Sequence, residues 1–298
     1  DLETTTSYPS RLSRRMVAAL MPGSKTPSPP GSKIQSWPGC QTLTSSFQVI
    51  ATGDPVERTV DLPCIVKPVD SQGQRGVALV TDDDHFLPAV AAAVRHSRTG
   101  GVIVEQFIGG AEVSVNGYLV DGDLVFVQAS DRVVWSEYTG LIRSHVVPSS
   151  TLAGDPDASR AVTELLATVC AHVGLTQGPV YAQMKVENGS PHLIEVTPRL
   201  DGCHMWQLIS LATGVDLLDA ALRHLALGER PHFADHPVVT AMELEFTCQE
   251  PGTPAPEILS APGDIASRAY YRPGTTIRAV NGRFEKIGYH VRPLGRTR

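Results

Sequence analysis

The sequence predicts an α+β fold in which short strands and helices interleave and the strands pair mainly as antiparallel hairpins. Three observations carry this. Asp121-Gly122 and Asn188-Gly189 each separate two apolar runs, the signature of a two-residue hairpin turn. Residues 158–173 place Val162, Leu165, Leu166, Val169 and Val173 at helical spacing and stop at Gly174. Strands and helices are short and mixed, which argues against a doubly wound parallel sheet.

Elements follow in order along the chain. Residues 1–60 read as an atypical, largely loop segment: 21–38 is rich in Pro, Gly and Ser, and only 11–20 has weak helical character. Two strands at 64–69 (CIVKPV) and 77–80 (VALV) flank a glycine-bearing loop. Asp82–Asp84 opens a helix through Val94, with Pro88 near enough to its start to be tolerated. A strand is expected at 101–108, a hairpin at 112–120 and 123–128, and a second hairpin at 180–186 and 192–196. Two helices follow near 205–212 and 216–227, the latter ending at Gly228. The last seventy residues, 229–298, read as a β-rich region with turns at Pro273-Gly274 and Asn281-Gly282.

The bulk numbers narrow the function classes. The 298 residues are 42% hydrophobic and 19% charged, an ordinary globular balance. A net charge of −6 gives no reason to expect nucleic acid or an anionic membrane as partner. No run of eighteen apolar residues and no secretion signal is visible. Cys40, Cys64, Cys170, Cys203 and Cys248 are odd in number and scattered, which fits reduced thiols better than a disulfide framework or zinc site. The expected location is cytoplasmic.

Two stretches carry candidate chemistry. Lys67 near a strand end, followed by Ser71, Gly73 and Gly76, suits a polyphosphate: glycine lets backbone N–H groups approach anionic oxygens, and the lysine adds a point charge. The same residues are compatible with a surface hairpin. Around Asn188-Gly189, Gln183 and Lys185 share one strand face, and Glu195, Thr197 and Arg199 share one face of the next. A three-residue loop at 188–190 places Gln183 opposite Glu195; a two-residue loop shifts the pairing by one. In the first register oxygen ligands converge beside a cationic end, as Mg²⁺ with phosphates requires. A solvent-facing polar sheet is the other reading.

The succession VKP-x-x-S-x-G-x-R-G-V, VEQFIGGAEVSV, GPVYAQMKV, LIEVTPRLDG and ATGVDLL resembles the ATP-grasp superfamily, in the branch of carbamoyl-phosphate synthetase large chains, biotin carboxylases and amino-acid ligases. Each motif is loose, but their order is specific. The resemblance covers 61–228, with one lobe at about 61–110 and the other at about 111–228. It implies two α+β lobes that clasp ATP, with Mg²⁺ (or Mn²⁺) as cofactor. Lys67 is implied to contact the α-phosphate and adenine beneath the mobile loop 71–76. Glu105, Gln106, Phe107 and Ile108 match the adenine hinge, and Glu112 the ribose acid. Gln183, Glu195 and Thr197 match the metal-ligand positions, and Arg199 the arginine that steadies the transferred phosphoryl group. Gln183 stands where Glu is commoner, although carbamoyl-phosphate synthetases are similar in using Gln there, and Thr197 stands where Asn is usual, leaving Glu195 the one anionic ligand. Asp131, Arg132, Arg143, His145, His204 and Trp206 are weaker candidates, and Cys203 reads as a small buried residue rather than a nucleophile.

The chain begins at Asp1, and about sixty residues precede the first expected strand; Arg14, Arg15 and Met16 resemble the basic helix of the family, but Ser13 stands in place of its lysine. The expectation is a chain without a complete leading α/β domain, through truncation or loss of part of the substrate site. The implied activity is ATP-dependent carboxylate–amine ligation through an acyl phosphate, on small-molecule carboxylate and amine substrates, in a possible homodimer. The alternatives are activation of bicarbonate, or a nucleotide-binding fragment or paralogue with impaired turnover.

Overall fold

The computed structural model describes residues 46–71, 73, 75–138, 140–233, 237–257, 260–280 and 284–295. The expected helix at 11–20, the loop at 21–38 and the turn at Asn281-Gly282 lie outside them.

Strands β1 (Phe47–Ile50), β2 (Cys64–Pro68), β3 (Ala78–Val80) and β4 (Val102–Gln106) form a four-stranded antiparallel sheet in the order β1-β4-β2-β3. The expected hairpin around the glycine loop is the β2–β3 pair. Asp82 accepts from the His85 backbone N–H at 3.1 Å and opens a 3₁₀ turn, Asp83–His85, which leads into α1 (Phe86–His96). Phe86, Ala89, Val90 and Ala93 of α1 pack on Val66, Val80, Val102 and Val104. Strand β1 falls inside the segment expected as loop: its four residues carry no turn signal that isolates them, and only pairing with β4 makes them a strand.

The larger sheet holds β5 (Ala111–Val120), β6 (Asp123–Val134), β7 (Ile142–Val147), β8 (Gly178–Glu187), β9 (Ser190–Thr197), β10 (Met242–Gln249), β11 (Ala266–Ala269) and β12 (Glu285–Pro293). Its order is β11-β12-β10-β7-β6-β5-β8-β9, with antiparallel neighbours throughout. Both predicted hairpins are present, as β5–β6 and β8–β9. Strand β7 was not expected, because Arg143, Ser144 and His145 interrupt its apolar pattern. It joins β6 to β10, so the C-terminal strands continue this sheet.

Helices α2 (Ser150–Ala153), α3 (Pro156–Val173), α4 (Met205–Thr213) and α5 (Leu217–Leu227) complete the described elements. Asp155 caps α3 by accepting from the Ala158 N–H at 2.9 Å, and Asp216 caps α5 by accepting from the Leu218 and Asp219 N–H groups. One face of the larger sheet presents Val113, Val115, Val180, Ala182 and Met184 to Val162, Leu165, Leu166 and Val169 of α3. The other packs Tyr118, Phe126, Leu244 and Phe246 against Met205, Leu208, Ile209 and Leu217 of α4 and α5. Each of the buried Val, Leu, Ile, Phe and Met side chains contributes about 1.5–3 kcal/mol relative to exposure. Among the described residues no single helix is long and apolar enough to cross a membrane.

Alternation then decides what remains for a site. With Ala182 and Met184 turned toward α3, Tyr181, Gln183 and Lys185 point to the opposite face, where they meet the smaller sheet across a cavity.

Candidate functional site

A cavity of about 720 Å³ lies between the two sheets. Lys67, Ser71, Gly73, Glu105, Gln106, Phe107, Ile108, Glu112, Gln183, Glu195, Thr197 and Arg199 all line it. These residues come from β2, the loop after it, β4 and the segment leading to β5, then β5, β8, β9 and the segment after β9, so distant parts of the chain converge. Gly76 is not a wall residue. Its φ is +75°, and an added Cβ would lie 3.0 Å from His96 Cδ2 and 3.1 Å from Pro68 Cγ. Close packing of the loop on α1 is what requires glycine there.

The β8–β9 hairpin reaches its register by an unexpected route. Asn188 (φ 51°) and Gly189 (φ 77°) form a two-residue turn with Glu187 paired to Ser190. That turn alone would place Gln183 opposite Ile194. Instead Met184 pairs with Leu193 and Gln183 with Glu195, so Ile194 is the extra residue of a β-bulge. The bulge turns Glu195 and Thr197 onto the face of Gln183 and Tyr181.

Oxygen donors therefore collect on one wall. Gln183 Nε2 donates to Glu112 Oε2 at 3.0 Å, which leaves the Gln183 amide oxygen as the free end of that side chain. Among the described residues Thr197 Oγ1 is buried without a hydrogen-bond partner, and Glu195 is exposed to the cavity. An amide oxygen, a carboxylate and an unpartnered hydroxyl fit a hard divalent cation such as Mg²⁺ or Mn²⁺.

Charged groups around this wall are arranged in pairs. Lys67 Nζ lies 2.5 Å from Glu105 Oε2. Arg132 Nη1 donates to Glu112 Oε2 at 2.5 Å, while Lys185 Nζ lies 3.9 Å from Glu112 Oε1. Burial disfavours the Arg132 charge, but the neighbouring Glu112 carboxylate more than offsets this and raises its pKa. Lys185 also donates to the Ile108 carbonyl at 2.8 Å and lies 4.8 Å from the Phe107 ring centre, fixing the segment between the lobes. The loop after β2 is anchored by Asp70, which accepts from Ser97 Oγ and the Arg98 and Thr99 N–H groups. Burial pushes the Asp70 carboxyl up, and these hydrogen bonds hold it below its ordinary value.

The weaker candidates separate. Asp131 accepts from Ser149 Oγ, from Ser150 N and Oγ and from Thr151 N, so it holds the start of α2. Arg143 is exposed at a bulge of β7 and does not line the cavity. His204 stacks on Tyr289 at 4.4 Å and shares a 2.8 Å hydrogen bond with Tyr270, whereas Trp206 packs on the core. Arg132 does line the cavity. His145 is wholly buried, and burial, Arg132 and Lys286 hold it well below its ordinary pKa. Cys203 reaches the wall, but burial pushes its thiol up to about 11, so it is a poor nucleophile. Cys64, Cys170, Cys203 and Cys248 are all free.

Asp201 and Lys286 line the deep end and were missed. Lys286 sits in the β-rich tail with no motif around it. A bulge at Ile287 brings it to the site: Thr247 pairs with Gly288 and Cys248 with Lys286. The skipped residue turns Lys286 onto the face of Phe246, whose ring centre is 3.5 Å from Nζ. Asp201 lies two residues beyond Arg199, and proximity to that arginine was the available signal.

Known proteins supply an independent comparison. The ATP-grasp domain family matches residues 60–206. The Sinorhizobium fredii uncharacterized protein y4rH is 26% identical over 263 residues, covering 85% of this chain and 52% of that protein. Carnosine synthase 1 of Mus musculus is 26% identical over 227 residues, covering 71% of this chain and 27% of that enzyme. This chain thus spans about half or less of the length of these curated relatives. Among solved structures, an L-amino acid ligase from Bacillus licheniformis superposes with a TM-score of 0.71 at 18% identity, over 86% of this chain and 65% of that one. That likeness is one of fold.

Proposed function

Because this chain carries an ATP-grasp domain on an ATP-grasp fold, we propose that it is an ATP-dependent carboxylate–amine ligase, as the names of its relatives suggest. The observation that carries the proposal is the convergence of Gln183, Glu195 and Thr197 with Lys67 and Arg199 on one cavity between the lobes. In this reading the 105–108 segment holds adenine, Glu112 meets the ribose, and Lys67 and the 71–76 loop meet the phosphates. Gln183, Glu195 and Thr197 hold Mg²⁺ or Mn²⁺, which when bound offsets the charge of the polyphosphate.

The substrate carboxylate oxygen attacks the γ-phosphorus, ADP leaves, and an acyl phosphate forms. The amine then attacks the acyl carbon, the C–O bond to phosphate breaks, and the amide, inorganic phosphate and the amine's proton are released. The chain's part is positioning and charge stabilisation, with Arg199 and Lys67 supplying fixed cations. Arg199 is exposed on the cavity and lies 5.6 Å from the Tyr181 ring centre, which limits its swing without neutralising it.

Calorimetric titration with ATP, with and without Mg²⁺, tests the proposal. Magnesium-dependent binding is expected, weakened about tenfold or more in Lys67→Ala through the lost charge-assisted contact. No binding to the folded chain would overturn it. Binding without hydrolysis in the presence of any carboxylate would favour a nucleotide-binding module, a reading supported by Glu195 being the one anionic donor among the three.

A further inference from the structure

The cavity holds two opposite charges that form no ion pair among the described residues. Asp201 is 6% exposed; Oδ1 accepts from the Cys203 N–H at 3.0 Å, while Oδ2 is buried with no hydrogen-bond partner among the described residues. Lys286 Nζ rests over the Phe246 ring and 3.9 Å from Cys203 Sγ, and forms no ion pair among the described residues. Asp201, Cys203 and Lys286 all line the cavity. Cys203 neutralises neither charge, because its thiol stays protonated at neutral pH.

A metal ion is one possible occupant, since ligand atoms of His145, Asp201 and Cys203 lie within 4.8 Å of one another. The surrounding charge argues against it. Arg132 and Lys286 both act on His145 and on Cys203, so a further cation would face two fixed ones and would also need the thiol deprotonated. A simple anion satisfies Lys286 but leaves Asp201 Oδ2 unpaired. An occupant that carries both charges satisfies both. Burial pushes the Asp201 carboxyl up and the Lys286 ammonium down, so each charge is held at a cost that an opposite charge from a ligand would relieve. Both groups lie close to one sulfur atom, which suits adjacent ligand charges rather than charges separated by a long side chain.

Building on the ligase reading above, we propose that Asp201 and Lys286 form the recognition end for an α-amino acid substrate, Asp201 receiving its ammonium and Lys286 its carboxylate. Arg199, two residues from Asp201 in sequence, lines the same cavity.

The test is a set of NMR titrations of the full chain with Mg²⁺ and a non-hydrolysable ATP analogue. Each amino acid is matched with its des-amino counterpart: alanine with propionate, leucine with 4-methylvalerate, glutamate with glutarate. At least one amino acid is expected to bind tenfold or more tightly than its counterpart. Asp201→Asn should erase that preference, Lys286→Met should weaken amino-acid binding at least tenfold, and Lys286→Arg should retain it; circular dichroism checks that each variant is folded. No preference in the unaltered chain, or an unchanged preference in Asp201→Asn, overturns the subsite. The ATP analogue is followed in the same samples: its binding without amino-acid capture defeats the subsite alone, whereas loss of its binding in the unaltered chain strikes the ligase reading itself.

Discussion

On the smaller sheet, Lys67 and Glu105 face the cavity as an ion pair at 2.5 Å, whereas elsewhere in the same cavity Asp201 and Lys286 form no ion pair among the described residues. The middle follows the first pattern: Glu112 gathers Arg132, Gln183 and Lys185 around one carboxylate. Paired charges hold their positions before a ligand arrives, because each supplies the other's hydrogen bonds in a low-dielectric setting. Unpaired ones carry a desolvation cost that only a ligand removes. The molecule is thus preformed where the nucleotide is proposed to bind and unsatisfied where the variable substrate is proposed to bind.

Glu195, on the wall of the same cavity, gives the largest expected effect. Glu195→Ala should lower metal-dependent ATP hydrolysis by about a hundredfold or more while part of the nucleotide affinity survives. A phosphate-release assay beside calorimetry reads both. Unchanged hydrolysis would remove the wall of oxygen donors as the catalytic centre.

Next in size is the paired middle. Glu112→Gln leaves the Arg132 guanidinium, whose side chain is 7% exposed, without its carboxylate. Removing one partner of a buried pair costs about 3 kcal/mol, read as a lower urea midpoint. An unchanged midpoint would mean that pairing does not stabilise this region.

The unpaired end predicts a smaller effect of opposite sign. Burial raises the folded Asp201 carboxyl above its ordinary 3.8, so the folded state holds this proton more tightly than the unfolded chain does. That contribution is fully present below 3.8 and is lost as pH rises through the folded value. Asparagine has no such proton to lose and keeps an oxygen for the Cys203 N–H. Asp201→Asn should therefore melt at a higher temperature than the unaltered chain at about pH 7, with the advantage shrinking toward about pH 4. Equal melting temperatures at neutral pH would sink the claim that this carboxylate is unsatisfied.

Much of this was legible in the residues alone. The Asp121-Gly122 and Asn188-Gly189 turns, the capped helices α3 and α5 and the α+β class follow from signals a few residues long, since turns and caps are decided by local backbone preferences. The residues assigned from the ATP-grasp motifs likewise line the cavity, Gly76 excepted. Tertiary structure decided the rest. Strand β1 exists only through β4, and β7 only between β6 and β10. The bulges at Ile194 and Ile287 set which face Glu195 and Lys286 occupy, because strand side chains alternate with a period of two and one extra residue inverts everything beyond it. Nothing in the neighbours of Lys286 marks it. Its place beside Asp201 depends on β12 pairing with β10, and on Phe246, forty residues earlier, offering a ring for its ammonium.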